Sequence, residues 1–161
     1  LQSFNLPVSM GTSGHLVGGA LAAIVLGSPF AAVFILTLVL IIQGFIFGDG
    51  GITVMGANIL NMGVIGGFVG YYSFQGLLKI LKNPYISSAV AAWLACLIPS
   101  LACAVEMYVA GTFPLVPGLV AMGLYHAIIG VIEGIVTAVI IYVLLMARPD
   151  LVETSVGVAS A

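Results

Sequence analysis

Long apolar runs separated by short clusters of glycine, proline and polar residues set the pattern of this chain. The stretch 33–42 is apolar apart from Thr37, and runs of roughly twenty such residues read as membrane-spanning helices. The pattern predicts a first helix over residues 14–26, short for a span and ended by Gly27-Ser28-Pro29. Pro29 then suits the first turn of a second helix over 29–47, where its missing N–H costs nothing. Gly48-Asp49-Gly50-Gly51 reads as a tight loop before a third helix over 55–81. Asn83-Pro84 opens a fourth over 84–110, which Pro99 is expected to interrupt, and residues 111–118 form a loop. A fifth helix covers 119–146 and stops at Arg148-Pro149. The expected architecture is all-α: a single polytopic transmembrane helix bundle over residues 1–161. It has a leading segment at 1–10, five membrane helices within 14–147, and a frayed tail over 150–161.

Composition supports lipid as the surrounding solvent. Hydrophobic residues make up 62% of 161 positions and charged residues 5%, with a mean hydropathy of +1.32. Soluble domains carry about a quarter charged residues. Alternating ten-residue segments, the mark of a membrane barrel, are absent. Three basic residues cannot build a phosphate-binding surface, so nucleic acid is excluded as a partner. No Gly-x-x-x-x-Gly-Lys-Ser/Thr loop occurs, so ATP hydrolysis by that route is not this chain's own work. Cys96 and Cys103, seven apart on one helix, would sit roughly 10 Å apart, too far for a disulfide, and read as small buried hydrophobes. The start of the chain lacks the basic region and cleavage site of a signal peptide.

The basic residues orient the bundle. Lys79 and Lys82 flank the end of the third helix, and Arg148 lands on the same side two crossings later. The positive-inside rule makes that side cytoplasmic. The leading segment and the loops at 48–51 and 111–118 then face outward.

Polar groups in hydrocarbon are costly, so each is a candidate for function. They are His15, Gln43, Asn58, Asn61, Glu106, His126 and Glu133. His15 ends the run Gly11-Thr12-Ser13-Gly14-His15 at the outer start of the first helix, where Thr12 or Ser13 would cap it. Imidazole is a good ligand for nickel, cobalt, zinc or copper, while a hydrogen-bonded interfacial histidine is the plainer reading. Asn58 and Asn61, three apart, share a helix face and suit a supporting role, holding an imidazole or a loop backbone, or bonding between helices. Asp49 is expected to structure its loop. His126 and Glu133, seven apart on the last helix, also share a face. A structural hydrogen-bond cluster is preferred for them over a proton relay. Glu106 lies nearer the outer end of the fourth helix. Gly14, Gly18 and Ala22 on the first helix, and Gly63 and Gly67 on the third, form small-residue stripes that let helices approach closely. Internal packing and docking onto another membrane subunit both remain open for them. No nucleophile–base pairing stands out, so an enzyme is not expected.

Two segments resemble the CbiM/NikM family. One is Gly11-Thr12-Ser13-Gly14-His15-Leu16-Val17-Gly18-Gly19-Ala20-Leu21-Ala22-Ala23. The other runs from Asp49-Gly50-Gly51-Ile52-Thr53-Val54-Met55-Gly56 through Ala57-Asn58-Ile59-Leu60-Asn61-Met62-Gly63. The stretch 126–137, with Gly130, Glu133 and Gly134, is similar to that family's last helices. The resemblance implies a substrate-binding membrane component of an energy-coupling-factor ABC transporter. Its cargo would be Ni²⁺ or Co²⁺, with no organic cofactor. It also implies a square-planar all-nitrogen cage to which His15 contributes. The other ligands would come from a Met-His amino terminus upstream of Leu1, because this chain matches about five of the family's seven helices. Implied partners are a membrane coupling subunit, cytoplasmic ATPases and a small accessory membrane subunit, in the plasma membrane of a prokaryote. The competing expectation is an accessory or structural membrane subunit with no metal site of its own.

Overall fold

The computed structural model describes residues 6–9, 12–14, 16–48 and 50–152. The chain begins with a two-stranded antiparallel hairpin, β1 (Leu6–Ser9) and β2 (Thr12–Gly14), in which Pro7 pairs with Ser13 and Ser9 with Thr12. The helices follow: α1 (Gly19–Val25), α2 (Pro29–Phe47), α3 (Met55–Leu81), α4 (Pro84–Val109) and α5 (Leu115–Ala147).

The expected helix over 14–26 is therefore corrected. Gly14 lies in a strand, and Gly18 sits at φ 76° immediately before α1, a conformation open to glycine but strained for other residues. At seven residues, α1 spans about 10 Å, a third of the hydrocarbon thickness. Four helices among the described residues, not five, are long and apolar enough to cross a membrane. Thr12 and Ser13 pair within the hairpin, so neither caps a helix.

The four long helices begin and end where local chemistry directs. Ser28 Oγ accepts from Ala31 N ahead of Pro29. Asn83 Oδ1 accepts from Tyr85 N at 3.0 Å and Ile86 N at 3.1 Å, with Pro84 at the first position of α4. α4 runs unbroken through Pro99, contrary to expectation. α5 starts at Leu115, four residues before the expected position, because Pro117 falls in the first turn, where its missing N–H is tolerated. Two stretches are π-helical, Gln43–Phe47 at the end of α2 and Ile59–Ile65 within α3.

The bundle is apolar on the outside. α5 presents Val120, Leu124, Ile128, Val131, Ile135 and Val139 outward, while Asn61, Ser100, His126, Glu133 and Thr137 are buried. That distribution belongs to a protein solvated by lipid, and the chain is a multi-pass membrane protein. Contacts between helices rely on small residues: Ala20, Ala23, Ala32, Ala91, Ala92 and Ala95 are all buried. Near the end of the bundle that carries Lys82 and Arg148, Ile24, Phe74, Ala91 and Ile141 close around Val152, so the first part of the expected frayed tail is packed into the core. The rest, 153–161, lies outside the described residues.

Candidate functional site

α1 defines the site by where it starts. Glu133, on α5, accepts the backbone N–H of Val17 through Oε2 at 3.1 Å and that of Gly18 through Oε1 at 2.9 Å. Eighteen residues separate Glu133 from Leu115, about 27 Å along the helix, so the carboxylate lies deep within the bundle. α1 is consequently a half-helix. It begins in the interior and runs toward the end of the bundle that carries Lys82 and Arg148, where it turns at Gly27-Ser28 into α2. Non-helical backbone is tolerated at such depth only where protein covers it, and the hairpin packs against α5.

On the far side of this junction from Lys82 and Arg148 is a cavity of about 80 Å³, bounded by Val17, the α3 residues Asn58, Asn61 and Met62, the α4 residues Cys96 and Cys103, and the α5 residues Met122 and His126. Asn58 Nδ2 donates to Gly50 O at 3.0 Å, tying the outer loop to α3. Asn61 Nδ2 donates to Glu106 Oε2 at 2.7 Å, linking α3 to α4. Asn61 lies in the π-helical stretch, where the widened turn alters the α-helical offset from Asn58, yet both amides reach the same cavity. The Nδ1 of His126 lies 2.8 Å from Met122 O and must be the donor, since a carbonyl can only accept. That fixes the tautomer of a neutral ring and leaves Nε2 as an acceptor. Cys96 and Cys103 are free thiols, as their spacing predicts.

Family membership follows from comparison with known proteins. A family model described as the cobalt uptake substrate-specific transmembrane region, CbiM, matches residues 1–151. The chain belongs to the CbiM family. It is 38% identical over 154 residues to NikMN of Archaeoglobus fulgidus, a match covering 94% of this chain and 51% of that protein. It is 36% identical over 169 residues to the fused nickel transport protein NikMN of Rhodobacter capsulatus, covering 94% and 48%. The cobalt transport protein CbiM of Geobacter sulfurreducens is 34% identical over 163 residues, covering 97% and 46%. The chain thus spans about half the length of these relatives. Its fold is similar to the crystal structure of a truncated transition metal transporter, with a TM-score of 0.83 and 36% identity over 89% of this chain and 73% of that one.

Within this CbiM-family bundle the residues singled out by sequence divide into groups. Asn58, Asn61 and His126 converge on one cavity, and Glu106 joins them through Asn61. Among the described residues Glu133 pairs with neither His126 nor a side-chain amide; it accepts two backbone N–H groups and meets the Cys96 thiol. His15 and Asp49 lie outside the described residues. Among the described residues no three His, Cys, Asp or Glu side chains come together as a metal cage.

The glycine stripes are also rearranged. Gly63 and Gly67 are buried against α2, where a Cβ on Gly67 would stand 3.4 Å from Ala32 Cβ, so this stripe packs inside the chain and is not an open docking face. Gly14, Gly18 and Ala22 form no helical stripe, because α1 starts beyond Gly18. Gly18 and Ala22 line a wide groove of about 590 Å³ between α1 and α2.

Two relationships escaped sequence reasoning. A lone Glu in an apolar helix flags a buried partner, but backbone N–H groups over a hundred positions away carry no sequence signature. The Asn61–Glu106 bond had a weak signal, both residues lying near the outer ends of adjoining helices.

Proposed function

We propose that this chain is the membrane substrate-binding part of a nickel or cobalt importer, with His15 as a metal ligand at its outer face. The observation that carries the reading is the anchoring of the backbone at Val17 and Gly18, the residues that follow the Gly-Thr-Ser-Gly-His run, to the buried Glu133. A segment pinned by a buried carboxylate beside a polar cavity suits a site that must hold a ligand in fixed geometry. Nickel and cobalt are the metals named for the relatives in Rhodobacter capsulatus and Geobacter sulfurreducens. Imidazole accepts either, and with nitrogen ligands the affinity order favours nickel.

Thr12, Ser13, Asn58, Asn61 and Asp49 support the metal loop in this reading, and Asn58 does so through Gly50 O. Energy for uptake comes from cytoplasmic ATPases through a membrane coupling subunit, with a small accessory membrane subunit beside the site, in a prokaryotic plasma membrane. The groove beside Gly18 and Ala22 is one face available to those partners.

Calorimetric titration of Ni²⁺ and Co²⁺ into the full-length gene product and its His15→Ala variant tests the assignment. Loss of high-affinity binding in the variant is expected. Equal affinity in both proteins removes His15 from the site and favours an accessory role for the chain.

A further inference from the structure

We infer that Glu133 is a positioning residue for the metal loop: it fixes the backbone that leads from His15 into α1, and so sets metal affinity without touching the metal. The inference rests on His15 being a ligand.

The geometry is specific. Both carboxylate oxygens are engaged, one by Val17 N–H and the other by Gly18 N–H, at 3.1 and 2.9 Å. Gly18 offers no side chain to cap α1, so Glu133 takes over the capping of this helix start from 115 positions away. The carboxylate is 2% exposed, so water does not compete for those bonds. Val17 is two residues beyond His15 in the chain.

Both sides of the clamp are rigidly backed. A Cβ on Gly134 would stand 2.8 Å from Ala89 O, so the α4 and α5 backbones approach closely beside Glu133. Trp93 Nε1 donates to Ala127 O at 3.0 Å and ties the same two helices about two turns away along α5. On the other side, a Cβ on Gly70 would stand 2.6 Å from Ala20 Cα, and one on Gly19 would stand 3.3 Å from Met62 O. α1 is therefore seated against α3, and Glu133 locks the end of it nearest the metal loop. The clamp holds Val17 and Gly18, which follow His15 and Leu16 in the chain.

Glu133→Gln keeps the volume but turns one acceptor into an N–H₂ facing a backbone N–H. Changes to groups that orient metal ligands typically cost 10–100-fold in affinity. The test is a double-mutant cycle in the full-length protein, with Ni²⁺ affinity and thermal unfolding read on the same samples. Glu133→Gln is expected to weaken Ni²⁺ binding about 10–100-fold when His15 is present, and to add nothing in the His15→Ala background. Ile141→Val trims the apolar cluster around Val152, away from the clamp, and is expected to lower unfolding temperature without changing affinity. Should Glu133→Gln fold poorly, Glu133→Asp keeps the carboxyl group and withdraws it by one methylene, with the same expected pattern. Unchanged affinity in a folded Glu133 variant, with His15→Ala impaired, overturns the inference and leaves the metal site standing. An equal loss in both backgrounds also overturns it. Unchanged affinity in His15→Ala defeats the functional reading beneath it.

Discussion

Asn61 donates from Nδ2 to Glu106 Oε2 at 2.7 Å across the α3–α4 contact, while its own Oδ1 is buried without a hydrogen-bond partner among the described residues. Glu106 Oε2 is the acceptor of this bond, so the nitrogen of the Asn61 amide faces it. Asn61→Ala strands a half-buried carboxylate and should cost about 1–3 kcal/mol. Glu106→Gln retains an acceptor and should melt near the parent protein. Thermal unfolding in detergent micelles separates the two. If Asn61→Ala unfolds at the parent temperature, the bond does not contribute to the fold.

Two glycines on α3 should respond in opposite directions to the same methyl group. At Gly70 a Cβ would stand 2.6 Å from Ala20 Cα, and backbone cannot yield as the tip of a side chain can. Gly70→Ala should cost about 1–3 kcal/mol or more and push α1 off α3. At Gly76 a Cβ meets nothing within 4 Å, so Gly76→Ala should stabilise the helix by roughly 0.5–1 kcal/mol. Unfolding temperatures that shift in the same direction for both variants would contradict the packing of α1.

Much of this bundle was legible because lipid imposes simple rules. The apolar runs mark α2 and α3 with the boundaries 29–47 and 55–81, and Pro29 and Pro84 open helices as their chemistry demands. The start of the chain misled because its small residues suit both a close-packed helix and an extended hairpin. Gly18 in a left-handed conformation, which decides between them, follows from the tertiary seat of α1 and not from local preference. The site was half legible. Asn58, Asn61, His126 and Glu133 stand out because each is a polar residue in an apolar helix. Their partners do not, since Gly50 O, Met122 O and the N–H groups of Val17 and Gly18 are backbone atoms that every residue possesses.

Below α5, Arg148 and Asp150 form a two-point ion pair, with Nε to Oδ1 at 2.9 Å and Nη2 to Oδ2 at 2.8 Å. Hydrogen bonding to Arg148 holds the Asp150 carboxyl below its ordinary range, and the same contact raises Arg148. A carboxylate with a depressed pKa contributes above its unfolded value and loses that contribution as pH falls through the folded one. The loss therefore lies below about pH 4, the ordinary aspartate value. Both side chains are well exposed, at 63% and 58%, so solvent and salt screen the pair. Asp150→Asn should lower unfolding temperature slightly, by the same amount across about pH 5 to 8, with the gap closing below about pH 4, as measured in parallel melts. A pH-dependent gap between the two proteins in that window would mean that Asp150 has a further charged partner.

Replacing five spans by four leaves the orientation argument intact, because it counts crossings between the basic residues only. Lys79 and Lys82 lie at the end of α3, and α4 and α5 bring Arg148 back to the same side. The outward loops carry no Lys or Arg, and the inner side carries all three of the chain's basic residues. α1 joins α2 at that inner side, which places the start of α1 and the hairpin before it toward the outside. A membrane-impermeant maleimide should therefore label Thr53→Cys and Thr112→Cys in intact cells, while Lys82→Cys and Asp150→Cys react only after permeabilisation. Cys96 is buried and Cys103 half-buried, which keeps the background low. Labelling of Lys82→Cys from outside would invert the bundle. It would put the hairpin that precedes α1 on the cytoplasmic side and defeat the proposed role in uptake.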